Sequence, residues 1–301
     1  MERHSLRPKD VLDLAAPSSW AASVMPCVLA VGLSYRLQGY LRPLEALCLF
    51  IGAILMQSAV NALNDYADFV KGTDTLENSP DASDAVIVYG LDPKVARNCG
   101  IAFLALALLG PGLGAAYLAG PPPLLIGLVG AVVVVFYSHG RTPISYLPLG
   151  ELVSGFVMGG LISLAGVYLQ TRMLSPFVLI QALPLMLGIG LIMLSNNGCD
   201  LERDLEAGRH TLPCFLGRKR TDLFYRFAIV TWIACPLVLM LLQEMRMGAL
   251  VYVLELPAML QGIMRQLSLK LGQPARMQIM AGIGQLVIIG SFAYVVALVV
   301  G

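Results

Sequence analysis

The sequence predicts an all-α, polytopic membrane protein with nine transmembrane helices around a central cavity. Of its 301 residues, 57% are hydrophobic and only 13% are charged, and this charged fraction is roughly half the ~25% usual in soluble domains. The hydrophobic residues are gathered into runs close to the roughly 20 residues that cross a bilayer. When nine spans are drawn, the Lys and Arg residues collect in the loops of one side, as in membrane proteins.

Nine apolar runs are candidates for membrane-spanning helices. They are residues 19–36, 44–64, 98–118, 122–138, 149–169, 174–197, 222–242, 247–264 and 277–300. The fourth run is short and follows three consecutive prolines at 121–123. With this assignment, the two longest polar segments, 65–97 and 198–221, lie on the same side of the membrane.

The distribution of positive charge predicts the orientation of the chain. With the amino terminus in the cytoplasm, only four of the twenty Lys and Arg residues fall outside, namely Arg36, Arg42, Arg172 and Arg246. The other sixteen lie inside or at the inner boundary, as the positive-inside rule expects. We therefore predict an integral protein of the cell membrane, with its carboxyl terminus outside and both long polar segments cytoplasmic. The net charge of +1 gives no reason to expect a nucleic acid partner.

Two matched stretches follow the second and sixth apolar runs. Each places an asparagine four residues before an aspartate, Asn64 before Asp68 and Asn196 before Asp200, at a constant offset of 132 residues. Four residues is about one helical turn, so the two side chains of each pair point the same way. Further acids accompany both pairs, namely Asp65, Asp74 and Asp204. Both stretches are predicted to emerge on the cytoplasmic face.

These oxygen-bearing side chains are candidate ligands of magnesium. Mg²⁺ prefers oxygen ligands and is usually held by one or two carboxylates together with substrate phosphates. The alternative is that the acids are only solvated residues at helix ends. However, the macrodipole disfavours negative charge at a helix carboxyl terminus by ~0.3–1 kcal/mol, which leaves the repeated acids unexplained. We therefore predict metal ligation by Asn64, Asp65, Asp68, Asp74, Asn196, Asp200 and Asp204.

Positive and aromatic side chains lie near the same stretches in sequence. Lys71, Lys94, Arg141 and Arg209 fall in the predicted cytoplasmic layer, where they could neutralise phosphate oxygens or act only as positive-inside anchors. Tyr66, Tyr137 and Tyr146 could stabilise a carbocation through cation–π contact, or could belong to the interfacial aromatic belt.

At these residues the sequence resembles the UbiA superfamily of intramembrane aromatic prenyltransferases, whose two signatures are NxxxDxxxxxD and NxxxDxxxD. The first matches Asn64, Asp68 and Asp74, and the second matches Asn196, Asp200 and Asp204. Within the superfamily, the branch that prenylates 1,4-dihydroxy-2-naphthoate is the most similar. The stretches that carry this similarity are NDYADFVKGTDT at 64–75, TPISYLPLGELVSG at 142–155 and NNGCDLERDLEAGRHTLPCFLGR at 196–218.

The resemblance implies that residues 1–301 form a single prenyltransferase domain with a cavity open to membrane lipid. It implies Mg²⁺-dependent transfer from a polyprenyl diphosphate to an aromatic acceptor, 1,4-dihydroxy-2-naphthoate, with decarboxylation to demethylmenaquinone. Asp68, Asp200, Lys71 and Arg209 would then be catalytic, and Asn64, Lys94, Arg141, Tyr137 and Asn196 would contact the diphosphate or its metal. A different acceptor, a terpene cyclase of the same superfamily and a membrane transporter stay open as alternatives.

Overall fold

The computed structural model describes residues 5–72 and 90–301, and the regular structure of these residues is helical. The principal helices are α1 (Pro8–Ala15), α2 (Ala21–Gln38), α3 (Pro43–Val70), α4 (Pro93–Ala119), α5 (Pro122–Ser138), α6 (Gly150–Thr171), α7 (Leu183–Cys199), α8 (Leu201–Glu206), α9 (Arg218–Leu242), α10 (Arg246–Ser268) and α11 (Arg276–Val300). Short helical segments also occur at Pro17–Ser19, Ile144–Tyr146, Phe177–Gln181, Leu212–Leu216 and Gln273–Ala275. The predicted all-α class is confirmed.

All nine predicted apolar runs lie on helices, but not all of these helices are long enough to cross a membrane unaided. In the described residues, six are long and apolar enough, namely α3, α4, α6, α9, α10 and α11. The first run, in α2, qualifies only together with the segment before it, from which it is bent by 57°. Helices α5 and α7 have 17 residues each, or about 26 Å, against a hydrocarbon core of about 30 Å. The count of nine spans therefore stays a prediction.

The outward faces of these helices carry large apolar side chains. The solvent-exposed fraction is 91% for Tyr117, 69% for Leu109 and 58% for Phe292. In α4, only 11% of the most apolar window is buried within the protein. Apolar surface of this extent requires a lipid environment rather than water. The protein is therefore an integral membrane protein.

The long helices pack in a ring around a central cavity. Helix α3 packs against α4 and α5, α6 packs against α2 and α7, and α11 joins α7, α10 and α2. Small residues allow α6 to approach α7 closely. A Cβ atom on Gly159 would lie 2.7 Å from the Cα of Met186, and one on Gly155 would lie 2.5 Å from its carbonyl oxygen. This contact fixes the position of α7, which carries the second stretch.

Two helices of the ring contain wider π-helical turns, at Leu108–Gly112 in α4 and at Gly155–Leu161 in α6. Pro111 lies inside the first, where it cannot donate the usual backbone hydrogen bond. Such turns are frequent at functional sites. Here both contribute residues to the cavity wall, including Leu108, Pro111 and Val157.

Candidate active site

The central cavity has a volume of about 950 Å³ and is lined by both Asn–Asp stretches. Helix α3 contributes the first stretch, while the second comes from α7, Asp200, α8 and the loop that follows α8. The polar lining residues from the two stretches are Asn64, Asp65, Asp68, Asn196, Asn197, Asp200, Arg203, Asp204 and Arg209. Most of the remaining wall is apolar, and includes Leu49, Ile126, Ile189 and Ile288. The cavity thus combines a polar end with a long apolar chamber.

In the first stretch, Asn64 orients Asp68. The Nδ2 of Asn64 donates a hydrogen bond of 2.9 Å to Oδ2 of Asp68, one helical turn further along α3. The Oγ of Ser138, at the end of α5, donates a 2.7 Å hydrogen bond to Oδ1 of Asn64. Both polar atoms of the Asn64 amide are therefore engaged, and this fixes the amide and the carboxylate beside it.

The second stretch turns a corner at Asp200. Helix α7 ends at Cys199, and the Asp200 N–H donates to the carbonyl of Asn196 at 3.1 Å. The Asp204 N–H in turn donates to the Asp200 carbonyl at 2.8 Å, so the chain continues into α8. Asn196, Asp200 and Asp204 consequently follow one another along the same wall of the cavity.

Arg209 connects the two stretches. It follows Gly208, whose φ of 70° suits glycine and turns the chain back toward α8. One guanidinium nitrogen donates to Asp68, and the other lies 3.6 Å from Oδ1 of Asp204. A single side chain thereby contacts a carboxylate of each stretch, which shows that the two stretches face each other across the cavity.

Burial and neighbouring groups of opposite charge shift the pKa values of these residues in opposite directions. Burial raises the pKa of Asp204 to about 7, although the adjacent Arg209 opposes the shift. Burial by itself would lower the pKa of Arg209, but the nearby Asp68 and Asp204 carboxylates outweigh it and leave that pKa raised. The pKa of Lys71, at the end of α3, is lowered by burial and by Arg209, against the opposing effect of Asp68. The charge of each group therefore depends on the others, as expected for ionisable groups in contact.

Lys71 and Arg209 share an aromatic neighbour. The Nζ of Lys71 lies 4.6 Å from the ring centroid of Tyr146, and Cζ of Arg209 lies 5.1 Å from the same centroid. Lys71 also donates a 2.8 Å hydrogen bond to the carbonyl of Ser138. Tyr146 does not line the cavity, so its ring supports the two cations and does not face an apolar ligand there.

The other predicted residues are not all brought to this cavity. Tyr137 lines it, whereas Tyr66 stacks on His139 with ring centroids 5.9 Å apart and does not. Lys94 and Arg141 are exposed and are not part of the cavity wall, so the geometry gives no support to their predicted contact with phosphate. Asp74 lies outside the described residues.

The structure adds polar residues that the sequence patterns did not identify. Arg276, at the start of α11, donates to Oδ2 of Asp200 at 3.2 Å and to Oδ1 of Asn196 at 3.0 Å. Gln273 also donates to Asp200, and Glu151 accepts a 2.9 Å hydrogen bond from Asn197. The only sequence signal for Arg276 was its place before the last apolar run, on the predicted side of both stretches.

The oxygen donors at the polar end of the cavity are spread over two walls. In the described residues there is no group of three or more His, Cys, Asp or Glu side chains that could hold a metal ion. The two walls instead present oxygen donors in small sets, which is the kind of partial ligation Mg²⁺ accepts when phosphates supply the rest.

The chain is similar to known proteins over most of its length. A sequence profile of the UbiA prenyltransferase family matches residues 23–297. A 1,4-dihydroxy-2-naphthoate octaprenyltransferase from Bacillus subtilis is 33% identical over 210 residues, which cover 68% of this chain and 65% of that protein, or slightly less than two thirds of its length. An enzyme of the same name from Haemophilus influenzae is 28% identical over 263 residues, covering 83% of this chain and 80% of that one.

The fold also matches solved structures. A UbiA homolog from Archaeoglobus fulgidus, solved with GPP and Mg²⁺, superimposes with a TM-score of 0.64 over 95% of this chain and 99% of that chain. At 17% sequence identity, this likeness establishes the shared architecture. The profile match covers nearly all of the helical ring and both Asn–Asp stretches, and it shows that the chain belongs to the UbiA prenyltransferase family.

Proposed function

We propose that this protein transfers a polyprenyl chain from a polyprenyl diphosphate to 1,4-dihydroxy-2-naphthoate in a Mg²⁺-dependent reaction. One observation carries the proposal: Arg209 contacts Asp68 of the first stretch and Asp204 of the second. Carboxylates and a cation that converge from distant parts of the chain at the polar end of an apolar cavity suit a substrate with a charged diphosphate and a hydrocarbon tail. The acids of both stretches lie at helix ends, whereas transport sites lie near the middle of the membrane. This position also favours catalysis over transport.

The metal ligands of the proposal come from both walls. Asn64, Asp65 and Asp68 would hold Mg²⁺ on the α3 side, and Asn196, Asp200 and Asp204 on the opposite side, with Asp74 as a further proposed ligand. When bound, Mg²⁺ neutralises diphosphate oxygens and so makes the diphosphate a better leaving group.

The cationic side chains would bind the same diphosphate. Arg209 can offer two nitrogen donors in one plane, which suits phosphate oxygens, and Arg276 lies against the opposite acids. Lys71 contacts the same Tyr146 ring as Arg209 and adds a further positive charge. We propose Asp68, Asp200, Lys71 and Arg209 as the catalytic residues of this chain. Their combined task is to hold the diphosphate while negative charge grows on its bridging oxygen.

The apolar chamber would serve the rest of the reaction. Breaking the bond between the allylic carbon and the diphosphate oxygen leaves both electrons on the diphosphate and a carbocation on the prenyl chain. Apolar walls such as Ile126 and Ile189 hold that chain and exclude water, which would otherwise capture the cation. Tyr137 lines the cavity and would contribute cation–π stabilisation. A ring carbon of the acceptor then forms the new C–C bond, and its carboxylate leaves as CO₂.

The choice of acceptor rests on the relatives. The two bacterial relatives are both 1,4-dihydroxy-2-naphthoate octaprenyltransferases. The direct product of the proposed reaction would be the hydroquinone demethylmenaquinol, and a separate two-electron oxidation would convert it to demethylmenaquinone, the precursor of menaquinone. The distribution of Lys and Arg supports a place in the cell membrane with the active site and amino terminus cytoplasmic.

The test is a product assay by mass spectrometry on the purified protein in lipid nanodiscs. A polyprenyl diphosphate is supplied with 1,4-dihydroxy-2-naphthoate, with 4-hydroxybenzoate or with no acceptor, each with and without Mg²⁺. A decarboxylated, prenylated naphthalene product that forms only with the naphthoate and Mg²⁺ supports the proposal. A prenylated hydroxybenzoate would reassign the acceptor, a hydrocarbon formed without acceptor would indicate a cyclase, and no conversion in any arm would contradict the enzymatic proposal.

A further inference from the structure

A second cavity lies at the start of α9, outside the proposed active site. Its volume is about 510 Å³, and its lining residues are Arg218, Lys219, Asp222, Leu223, Arg226, Lys270 and Leu271. The lining therefore carries four cations and one acid. Because α9 begins at Arg218 and is long and apolar enough to span the membrane, the cavity lies at the boundary between the lipid and the water on the side of the two Asn–Asp stretches.

Two of the charged residues are already engaged. The Oδ1 of Asp222 accepts a 3.0 Å hydrogen bond from the Leu271 N–H. Arg218 pairs with Glu202 of α8 and donates to the Leu271 carbonyl at 3.0 Å. These contacts join Leu271 to the start of α9 along one wall of the cavity, and they give the Asp222 carboxylate a hydrogen-bond partner.

The other three cations have no partner within the part of the chain that the structure describes. Among the described residues, Lys219, Arg226 and Lys270 form no ion pair or hydrogen bond with a side chain. The Nε of Arg226 is buried and has no hydrogen-bond partner in the part of the chain that the structure describes. Buried polar groups nearly always have a hydrogen-bond partner. A buried donor without one, beside two further unpaired cations, indicates a site for an anion.

An exposed apolar stripe continues from this cavity along α9. Leu223, Phe227 and Val230 follow one another at helical spacing on the side of the helix that carries Lys219 and Arg226. Their exposed fractions are 70%, 64% and 55%. The stripe runs from the charged cavity into the membrane-spanning part of the helix. A phospholipid has the matching arrangement, with its phosphate at the membrane surface and its acyl chain inside the bilayer.

We propose that this cavity binds the phosphate of an anionic phospholipid, whose acyl chain lies along Leu223, Phe227 and Val230. Lys219, Arg226 and Lys270 supply three positive charges, and these would disfavour the choline or other cationic group of a zwitterionic lipid. Free phosphate shares the same chemistry at the headgroup but would leave the stripe unused. The site is connected to the end of α7, because Arg218 also donates to the carbonyl of Gly198, between Asn196 and Asp200.

The test measures lipid binding to the full-length protein after delipidation in detergent. Native mass spectrometry counts bound lipid during titration with phosphatidylglycerol or phosphatidylcholine, and inorganic phosphate is added in a separate arm while the melting temperature is followed. The wild-type protein should retain one phosphatidylglycerol in preference to phosphatidylcholine. The variant Lys219→Gln/Lys270→Gln alters exposed side chains only, and should bind phosphatidylglycerol about 30-fold more weakly, since each cation near an anionic headgroup contributes about a factor of five. Arg226→Gln removes one cation and should weaken binding about fivefold.

The matched control is Arg220→Gln, which removes an exposed cation from the same turn of α9 without touching the cavity. If binding depends on the cavity, Arg220→Gln should bind phosphatidylglycerol with the wild-type affinity. Equal loss in Arg220→Gln and in the double variant would mean non-specific attraction to charge and would overturn the proposal. So would equal binding of the two lipids, unchanged binding by the double variant, or a rise in melting temperature with phosphate alone that matches the rise with phosphatidylglycerol.

Discussion

Arg209 donates a hydrogen bond to Asp68, a residue 141 positions earlier in the chain. Its second guanidinium nitrogen lies near Asp204, five residues before it. A contact between a local loop and a distant helix forms only if α3 and the α7–α8 corner face the same cavity. The same contact provides the most direct way to test which side chains act on a diphosphate.

Replacing Asp68 with asparagine should slow catalysis strongly without unfolding the protein. The new amide would keep the shape of the side chain and the contact with Asn64 but would lose the negative charge proposed to hold Mg²⁺. We expect Asp68→Asn to lower kcat at least about 100-fold, the size of effect seen when one preorganised electrostatic group is removed. The measurement is prenyl transfer by the purified variant at saturating substrates.

The control for this experiment is Glu45→Gln. Glu45 is an acid of the same helix, close to its other end, and pairs with Arg172 at 2.6 Å. The loss of this pair should reduce stability only, so the rate per folded molecule should stay near that of the wild type. Similar rate losses in both variants would contradict a specific role for Asp68.

Arg209→Lys and Arg209→Gln should separate the charge of this side chain from its geometry. Lysine keeps the positive charge but cannot place two nitrogen donors on two carboxylates at once. We expect the glutamine variant to be the less active, and the lysine variant to recover only part of the activity, mainly through a higher KM for the diphosphate. Steady-state kinetics with varied diphosphate checks this order, and full recovery by lysine would mean that charge alone suffices.

Arg276→Gln should weaken diphosphate binding while leaving Mg²⁺ binding intact or tighter. Arg276 contacts Asp200 and Asn196, so its removal frees those oxygens for the metal but takes a cation from the substrate. We expect the KM for the diphosphate to rise roughly tenfold, as for loss of one charge-assisted hydrogen bond. The Mg²⁺ concentration for half-maximal rate should not rise, and a marked rise would place Arg276 in metal binding instead.

Removal of divalent cations should stop the reaction reversibly. If the oxygen donors on both walls hold Mg²⁺, the wild-type enzyme should lose activity in EDTA and regain it when Mg²⁺ is restored. Asp200→Asn should require more Mg²⁺ for half-maximal activity than the wild type. Activity that persists in EDTA would refute metal dependence while leaving the family assignment untouched.

Gly159→Ala should destabilise the protein, because the added Cβ would meet the backbone of Met186 at 2.7 Å. Overpacking of this kind costs about 1–3 kcal/mol, and should lower the melting temperature measured in detergent by several degrees. Gly110→Ala is the matched control, because it also lies in a π-helical turn but a Cβ there meets nothing within 4 Å. Equal shifts in the two variants would mean that the loss of glycine, rather than the contact with Met186, is responsible.

Much of the fold and part of the candidate site could be predicted from local sequence patterns. The apolar runs place every long helix, because a chain in lipid must satisfy its backbone hydrogen bonds within each span. The one-turn spacing of Asn64 and Asp68 predicts their contact, and the structure shows that hydrogen bond. Residues with no fixed spacing were not predictable in this way, since Arg276 reaches Asp200 across 76 positions and the Tyr146 ring contacts both Lys71 and Arg209.

The sequence by itself determined that this is a helical membrane protein of the UbiA type, with two Asn–Asp stretches at the ends of apolar helices. Hydrophobic run length and residue spacing are local properties, and the chain carries them whatever its tertiary packing. Only the tertiary structure decided that the α3 and α7 walls share one cavity, that Arg209 and Arg276 contact its acids, and that Lys94 and Arg141 lie away from it. Those outcomes depend on how helices that are distant in sequence pack against one another. One such contact is the close approach of α6 to α7 at Gly155 and Gly159, which a side chain at either position would obstruct.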